Sequence, residues 1–543
     1  MAHDSTRPDD PPTTTQLREK QANWLVHLFQ ILFLSVLLLD LDGPFLSAHN
    51  ERQNQTFDMA RHVYRDGWTS VFTPKVSFSS PGFETQHFTA ALQEVPFHGL
   101  IAWPLMRVTS HERAVVRLIS GAFALLSIQL MFWILRFWLP PMASALGAGV
   151  WATAPLVLHF GQAPMPDILC SAGMLAAFWF ALRGKLSASS ASFLFAILAK
   201  VSVIVFGLPV LTALLVASHC QSRRDGLRLA SLWGWAPLSG LILWEFLLYW
   251  FAPPSSMTVI GILAGRGGWS GLVSLWFYKF LLGCALPFGM GVLGFIGLIF
   301  AAREKRSMNP AVKWTIVISN LFYLLFVIRK VTEPQYILPP LAWCVMASAF
   351  GFNFLMDQLR VSALWRAALG LALLLHVIVA LLFTVDLKTC RVPSYPDIER
   401  AAKLLPADAR VLVLYLHYGA SPAVWLDRNV LAVSDELPSG FPSKCAQAYR
   451  AGFTHFLILD IESWHAPRGN DGVFAMWTRL TQALLRKPPE AGQNNSGNAS
   501  PGSPFHRYSD LVFSRVYDSP HVVLYSMASF PAKQALGESF VWP

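Results

Sequence analysis

The feature that most constrains this chain is a series of apolar runs, each long enough to cross a lipid bilayer as a helix. A bilayer core takes roughly 20 apolar residues per helical span, and about eleven spans pass that test. The single runs are residues 24–43, 114–138, 142–160, 167–183, 229–251, 285–302, 311–328, 335–353 and 364–384. The longer run at residues 190–218 predicts two short spans that meet at Lys200, which would place that lysine at an interface. The sequence therefore predicts an all-α polytopic membrane bundle.

Composition agrees with a membrane location, because 54% of the residues are hydrophobic and 14% are charged, whereas soluble domains have about a quarter of their residues charged. The first span is too long for a cleavable signal peptide, and no small-residue cleavage site follows it, so it is predicted to stay as an anchor. The net charge of +10 comes from bases scattered among the spans. Because they form no stripe, the expected partner is the lipid bilayer and not nucleic acid.

Basic residues in the short connections predict which side faces the cytoplasm. They are Arg183, Lys185, Arg223, Arg224, Arg228, Arg303, Lys305, Arg306, Arg360 and Arg366. With these residues inside, the outer side holds residues 44–113, the turn HFGQAPMPD, residues 252–284 and the tail from about residue 385. One outer turn breaks the charge rule, because it contains Arg329 and Lys330. That pair either reaches lipid headgroups or binds a phosphate.

Two helices are predicted in the outer loop at residues 44–113. In QTFDMARHVYRD, apolar residues recur at helical spacing opposite a charged face, which predicts a helix on the membrane surface. Such a helix either belongs to a site or is a solvated helix without chemistry. The segment LQEVPFHGLIAWPLMRV is apolar but short, and Pro96 and Pro104 interrupt it. It is predicted to be half embedded and not to span the bilayer.

Acidic side chains gather in the predicted outer regions, at Asp40, Asp42, Glu51, Asp58, Glu84, Glu94 and Asp167. Carboxylates can take the proton of an acceptor hydroxyl or bind a divalent cation. Asp167 follows a proline at the start of a span, so a helix N-terminal charge is the favoured alternative for that residue. Acidic groups and an external basic pair on one side of a bundle suit an anionic head on a lipid tail, such as a polyprenyl-phosphate sugar.

Taken in order, the segments ARHVYRDG, EVPFHG, PMPD, AKVSVIVFGLP and RKVTEPQYILPPL resemble glycosyltransferase family 39 and its bacterial relatives, over about residues 24–384. These relatives include protein mannosyltransferases, lipid A aminoarabinose transferases and core galacturonosyltransferases. The resemblance implies the GT-C membrane fold and a hexosyl- or pentosyltransferase. The implied donor is a polyprenyl-phosphate sugar, and the implied acceptor is a lipid, glycan or protein of the cell envelope. The implied location is a bacterial inner membrane, with the site and the C-terminal domain in the periplasm.

The same resemblance implies the catalytic carboxylates. The family's outer loop carries an Asp-Glu pair and then Ala-Arg; Arg61 belongs to a matching Ala-Arg, but Arg52 and Gln53 stand at the acidic pair, as in one bacterial subgroup. Glu94 matches an acidic residue near the metal or donor phosphate, which leaves a divalent cation open. The candidate catalytic residues are Glu51, as substitute base, Glu94 and Asp167, and Arg52 and Gln53 are candidate substrate-loop residues. The implied donor phosphate-binding residues are Arg61, Lys200, Arg329, Lys330 and Tyr336.

The tail has the composition of a small extramembrane α/β domain. ARVLVLYL, THFLILDI and HVVLYSM predict strands, and DIERAAKLL and SKCAQAYRAG predict helices. A disordered insert is predicted at about residues 487–505. The predicted domains are a cytoplasmic tail at residues 1–22, a membrane domain at residues 23–384 and the α/β domain at residues 385–543. The last either helps to recognise the acceptor or is a structural cap.

Cys390 and Cys445 both fall in the predicted α/β domain and are candidates for a disulfide in an oxidising compartment. The sequons at Asn54 and Asn494 would accept glycans only in a eukaryotic secretory lumen.

Two alternatives to a glycosyltransferase remain. A secondary transporter is disfavoured because the charges lie in outer loops and the mid-span positions are nearly free of charge. A catalytically degenerate scaffold stays open because the acidic pair is missing.

Overall fold

A computed structural model describes residues 14–45, 50–72, 76–79, 94–219, 222–251, 286–304, 308–326, 334–359, 363–389, 395–414, 420–433, 441–459, 509–519 and 522–529. The chain divides into two compact units. The bundle unit contains Met1–Leu39, Ser120–Trp244 and Thr258–Thr384. The sheet unit contains Asp40–Ile119, Glu245–Met257 and Val385–Pro543. The outer loop at residues 44–113 therefore groups with the C-terminal part of the chain.

Helices account for most of the described residues. In chain order they are α1 (Thr14–Leu38), α2 (Asn50–Asp66), α3 (Phe97–Met106), α4 (Glu112–Leu135), α5 (Pro141–Thr153), α6 (Pro155–Phe160), α7 (Pro166–Leu182), α8 (Leu186–Ala199), α9 (Gly207–Ala217), α10 (Arg223–Phe251), α11 (Leu286–Phe300), α12 (Pro310–Phe326), α13 (Leu338–Leu359), α14 (Ala363–Thr389), α15 (Tyr395–Leu404), α16 (Ala420–Leu426) and α17 (Phe441–Arg450). Among the described residues, three helical segments are long and apolar enough to cross a membrane, Gln16–Leu38, Glu112–Leu135 and Leu338–Gln358.

Three of the predicted runs are interrupted helices. The run at residues 285–302 forms α11, in which Gly291 has non-helical backbone angles, φ 72° and ψ 171°. The run at residues 142–160 forms α5 and α6, which separate at Ala154 because Pro155 has no N–H to continue the first helix. The run at residues 190–218 forms α8, a 3-10 helix at Val201–Phe206, and α9. Lys200 lies between α8 and the 3-10 helix with an extended backbone, φ −159° and ψ 104°. The predicted break at Lys200 is confirmed.

The sheet unit is built on a mixed sheet. Its strands are β1 (Phe78–Ser79), β2 (Arg410–Leu414), β3 (Asn429–Val433), β4 (His455–Leu459), β5 (Ser514–Asp518) and β6 (Val522–Ser526). Within the described residues their order is β1-β3-β2-β4-β6-β5. The first four strands in this order are parallel to one another, and β6 is antiparallel to both β4 and β5. The three predicted strands are present as β2, β4 and β6. Strand β1 comes from the outer loop and pairs with β3, Phe78 opposite Val430.

The core of the sheet unit contains Cys445, one of the two candidate cysteines for a disulfide. Cys445 is fully buried among Leu412, Phe456 and Tyr525, and it is a free thiol. The predicted disulfide with Cys390, which lies outside the described residues, is therefore wrong for Cys445. The apolar surroundings raise the pKa of the Cys445 thiol well above its usual value, which suppresses the thiolate form that disulfide chemistry requires.

Helix α2 is packed inside the sheet unit and does not lie on a surface as predicted. It contacts α3 and α16, and its polar residues Gln53, Asn54 and Asp58 are buried with its apolar ones. The Asn54 amide donates to Phe45 O at 3.2 Å and to Ser421 Oγ at 3.0 Å. The Asn54 amide nitrogen and the Asp58 carboxylate have partners within the fold, which offsets the cost of burying them, whereas Asn54 Oδ1 has no hydrogen-bond partner among the described residues. The sequon at Asn54 is therefore inaccessible in the folded chain.

Candidate active site

A buried ion pair is the most polar feature of the bundle unit. The Lys200 ammonium donates to the Asp167 carboxylate, and the two side chains are 7% and 1% exposed. Burying two charges costs several kcal/mol each, and the attraction within a close pair often repays that cost only in part. The pair is therefore kept at a considerable energetic cost, which is typical of a functional position in a membrane bundle.

Local sequence explains why the two side chains meet. Asp167 is the second residue of α7, directly after Pro166 at the first position, where a fixed φ and a missing N–H are tolerated. Its carboxylate lies at the helix end where peptide dipoles favour negative charge. Lys200 lies where α8 ends in extended backbone. A lysine at a break between helices can point its ammonium into the bundle without interrupting a helical ladder.

Two tyrosines complete this cluster. The Lys200 ammonium lies 4.0 Å from the centroid of the Tyr336 ring, which is within the range of a cation–π contact. Tyr336 belongs to a 3-10 helix at Pro334–Ile337, directly before α13. Tyr323, on α12, is buried and interacts electrostatically with Lys200. The structure thus brings together Asp167, Lys200 and Tyr336, three of the residues that the sequence singled out, and adds Tyr323.

One further polar side chain lies near Asp167 in the chain. The side chain of Gln162 is buried, its Nε2 donates to Leu158 O at 2.5 Å, and its Oε1 has no hydrogen-bond partner among the described residues. Residue 162 lies in the quoted turn HFGQAPMPD, and α6, which precedes it, contacts the 3-10 helix that carries Tyr336. A buried amide oxygen without a partner is a candidate acceptor for a ligand hydroxyl. Sequence reasoning singled out only the aspartate of this turn.

An apolar cavity of about 590 Å³ lies in the same unit. Its walls come from α8, the 3-10 helix after Lys200, α9, α10 and α12, and Ile204 and Val205 are among the residues that line it. Ser319 also lines it, but its hydroxyl donates to Val205 O at 2.9 Å. The cavity is therefore suited to an apolar ligand.

The sheet unit contains a second polar cluster. Arg52 Nη2 lies 2.5 Å from Glu94 Oε2, and Arg52 Nη1 donates to Gln55 Oε1 at 2.9 Å. His98, on α3, is buried, and its pKa is lowered to about 3 by desolvation and then by the charge of Arg52. The imidazole is therefore neutral at physiological pH. The structure joins Arg52 with Glu94, two residues that the sequence placed in different candidate roles.

Arg61 is committed to another partner in the sheet unit. Its guanidinium forms an ion pair with Asp427, directly after α16, and its side chain is 8% exposed. On the same helix, Asp58 accepts from the backbone N–H of Ser77 at 2.5 Å and from its hydroxyl at 2.9 Å. These contacts tie α2 to the strands of this unit.

The remaining sequence candidates are less defined. Arg329 and Lys330 lie outside the described residues. Glu51 belongs to α2, but the position of its side chain is likewise not described. Gln53 is buried in α2. No group of three or more His, Cys, Asp or Glu side chains within the described residues could hold a metal ion.

Comparison with known proteins identifies the fold. No protein-family model matches the sequence, and no curated protein does. The structure resembles ArnT from Cupriavidus metallidurans, both apo, at 15% identity, and bound to undecaprenyl phosphate, at 16% identity. In each case the TM-score is 0.59 over 94% of this chain and 99% of that one. It also resembles an Archaeoglobus fulgidus oligosaccharyltransferase tethered to an acceptor peptide, with a TM-score of 0.53 and 11% identity over 81% of this chain and 69% of that one.

These similarities extend over nearly the whole chain, and at such low identity they establish the fold alone. The chain has the GT-C fold of membrane glycosyltransferases, which confirms the fold that the sequence resemblance implied.

Proposed function

We propose that this chain is an integral membrane glycosyltransferase that moves a sugar from a polyprenyl-phosphate donor to an acceptor of the cell envelope. The observation that carries the proposal is the buried Lys200 ammonium, held between the Asp167 carboxylate and the Tyr336 ring. A GT-C fold supports the same reading, since ArnT of that fold is known with undecaprenyl phosphate bound.

Lys200 is assigned to the donor phosphate. An ammonium has three N–H donors and a compact charge, which suits a phosphate oxygen. Asp167 is 1% exposed and already paired with Lys200, so we assign it to positioning that ammonium. Tyr336 supports the same group from its ring face. The basic pair Arg329 and Lys330 is assigned to the same phosphate on the basis of the sequence resemblance.

The apolar cavity is assigned to the prenyl tail. Ile197 and Ile204, which flank Lys200 in the chain, both line the cavity, and its lining is almost entirely apolar. A ligand with an anionic head and a long apolar tail would match a buried cation whose neighbours in the chain line an apolar cavity. Free phosphate or a soluble sugar nucleotide could bind the cation, but neither has an apolar tail that would occupy the cavity.

The reaction needs no cofactor for its balance. The acceptor hydroxyl oxygen bonds to the anomeric carbon, the bond from that carbon to the phosphate oxygen breaks, and its electron pair leaves with the polyprenyl phosphate. The acceptor proton passes to a carboxylate, which is general base catalysis. Glu51 and Glu94 are the candidates on the basis of the sequence resemblance, while Asp167 is assigned to positioning Lys200.

The wider setting follows the sequence predictions. We propose about eleven spans, a bacterial inner membrane, a periplasmic active site and a periplasmic α/β domain. The acceptor is a lipid, glycan or protein, and the sugar is a hexose or pentose.

A binding experiment tests the donor assignment with a matched pair of glycine substitutions. Gly234 on α10 lines the cavity, and a Cβ built there meets nothing within 4 Å. Gly234→Leu therefore fills cavity space without a backbone clash. Gly370 on α14 is also open around its Cβ and does not line the cavity, so Gly370→Leu is the control with the same change in helix propensity.

Affinity for undecaprenyl phosphate would be measured by native mass spectrometry on protein in detergent. We expect Gly234→Leu to weaken binding by about tenfold or more, the equivalent of about 1–3 kcal/mol of overpacking, while Gly370→Leu binds as the wild type does. Equal affinities for the three proteins, or no binding by the wild type, would contradict the assignment.

A further inference from the structure

The contact between Arg52 and Glu94 bears on how the outer-loop carboxylate is held. It joins α2 to the segment before α3, across 42 residues of chain. The side chains are 35% and 16% exposed, so solvent screens the pair only in part. Gln55 holds the other arm of the guanidinium, with Nη1 to Oε1 at 2.9 Å. Both terminal nitrogens of the Arg52 guanidinium therefore have partners, and its positive charge lies beside the Glu94 carboxylate.

The described residues around Glu94 do not fit a divalent cation. Such ions take several oxygen ligands, commonly two or more carboxylates. Arg52 is in contact with Glu94, and its positive charge opposes a second cation there. His98 is buried and is affected electrostatically by the charge of Arg52. No third acidic or imidazole ligand joins Glu94 within the described part of the chain. The only strong partner that the structure gives to the Glu94 carboxylate there is the guanidinium.

We propose that the Arg52 guanidinium supplies the positive charge beside Glu94 that a divalent cation would otherwise supply, so that this site works without metal. The proposal rests on the proposed function. Guanidinium stays protonated at all physiological pH values and forms short, charge-assisted hydrogen bonds with carboxylates. Arg52 orients the Glu94 carboxylate, and it acts as a positioning residue.

The first test measures metal binding and does not depend on activity. Mn²⁺ binding would be followed by electron paramagnetic resonance for the wild type, Glu94→Gln, Arg52→Asp and the double variant Arg52→Asp with Glu94→Gln. We expect the wild type and Glu94→Gln to bind Mn²⁺ equally weakly, because Glu94 holds no metal. Arg52→Asp puts a second carboxylate beside Glu94 and is expected to gain a site that the added Glu94→Gln removes.

Two outcomes overturn the proposal. One is a Mn²⁺ site in the wild type that Glu94→Gln abolishes. The other is a folded Arg52→Asp protein that gains no Mn²⁺ site. That result would show that the Arg52 guanidinium does not occupy a position where a metal ion can bind.

The second test uses sugar transfer and serves also if Arg52→Asp does not fold. Wild-type transfer is expected to be unchanged by a chelator. Arg52→Gln is expected to lose about tenfold or more, as removal of a group that orients a functional ligand commonly does, and Arg52→Lys to retain more activity than Arg52→Gln. Arg515→Gln, which breaks an exposed pair with Asp510, is the control variant. Full activity of Arg52→Gln, or loss of wild-type activity with chelator and its return with Mn²⁺, would refute the proposal.

The failure of the proposed function can be distinguished from the failure of the proposal about Arg52. If no donor supports transfer, the proposed function fails, and the Mn²⁺ measurement still decides whether Arg52 replaces a cation at Glu94.

Discussion

Lys200 and Asp167 form an ion pair inside the bundle unit, although 33 residues separate them in the chain. The pair is nearly inaccessible to solvent, so each charge depends on the other for its stability. An apolar pair of similar size would be at least as stable in such surroundings. The retention of two charges therefore indicates a role beyond stability, which the proposed function assigns to the donor phosphate.

Breaking this pair from one side is expected to be more harmful to stability than removing it altogether. Lys200→Met or Asp167→Asn leaves one unpaired buried charge or a mismatched amide and is expected to cost about 3–5 kcal/mol of unfolding free energy. The double variant Asp167→Leu with Lys200→Met leaves no charge and is expected to regain most of that loss, yet to have no transfer activity. Unfolding in detergent, followed by fluorescence, measures the stabilities.

Arg136→Gln is the control for that cycle, because it breaks the exposed pair of Arg136 with Glu19 and is expected to cost less than about 1 kcal/mol. A double variant that loses as much as the two single losses added together would show that the charges do not depend on each other.

The contact of Lys200 with Tyr336 predicts that the ring matters more than the hydroxyl. Tyr336→Phe keeps an aromatic face 4.0 Å from the ammonium, whereas Tyr336→Leu removes it, at a cost of about 0.5–2 kcal/mol. We expect Tyr336→Leu to weaken undecaprenyl phosphate binding and Tyr336→Phe to bind nearly as the wild type does. Equal losses for the two variants would assign the effect to the hydroxyl instead.

Arg61 is predicted to stabilise the sheet unit through Asp427 and not to bind donor. Asp427→Asn is a mild change because asparagine also tolerates the left-handed backbone of this residue, φ 53°. Arg61→Met and Asp427→Asn are each expected to destabilise the protein by about 1–3 kcal/mol, with a combined effect smaller than the sum. Thermal unfolding measures this coupling, and a large loss of undecaprenyl phosphate affinity in Arg61→Met alone would contradict the prediction.

His98 predicts how stability depends on pH. Its pKa is lowered from 6.5 to about 3 in the folded chain, mainly by desolvation. Between these two pH values His98 is therefore protonated in the unfolded chain and neutral in the folded chain. The stabilising contribution is complete above pH 6.5 and is lost as the pH falls toward 3, by about 1.4 kcal/mol per pH unit.

Unfolding measured from pH 7 to 4 on the wild type and His98→Gln checks the prediction. The pKa of His62 is also lowered, mainly by desolvation, so the quantity of interest is the difference between the two profiles. Parallel profiles would show that His98 is not the group responsible.

Local signals in the sequence predicted a helical bundle, and three helical segments among the described residues are long and apolar enough to cross a membrane. Apolar length and periodicity placed the helices, and a lone lysine inside a long apolar run marked the break between α8 and the 3-10 helix that precedes α9. Asp167 was singled out as a carboxylate in a predicted outer turn, and Tyr336 was implied by the resemblance to glycosyltransferase family 39. Their meeting at Lys200 depends on tertiary packing, which periodicity does not report.

Long-range contacts explain what the sequence did not predict. The sequence of α2 predicts a surface helix because its charged residues share a face. In the fold, Asp427 and Ser421, more than 360 positions away, contact Arg61 and Asn54 of that helix. Arg117 lies inside an apolar run, and its guanidinium donates to the carbonyls of Asp40, Leu41 and Gly43. Such partners are fixed by the fold of distant segments and leave no local pattern.

Transfer by purified protein in nanodiscs tests the central claim most directly. Radiolabelled polyprenyl-phosphate sugars would be offered with a cell-envelope extract as acceptor, to the wild type and to the double variant Asp167→Leu with Lys200→Met. We predict that the wild type moves label to an acceptor and that the variant, although folded, does so at least about 100-fold more slowly. Equal transfer by both proteins, or no transfer from any donor by folded wild type, would contradict the account.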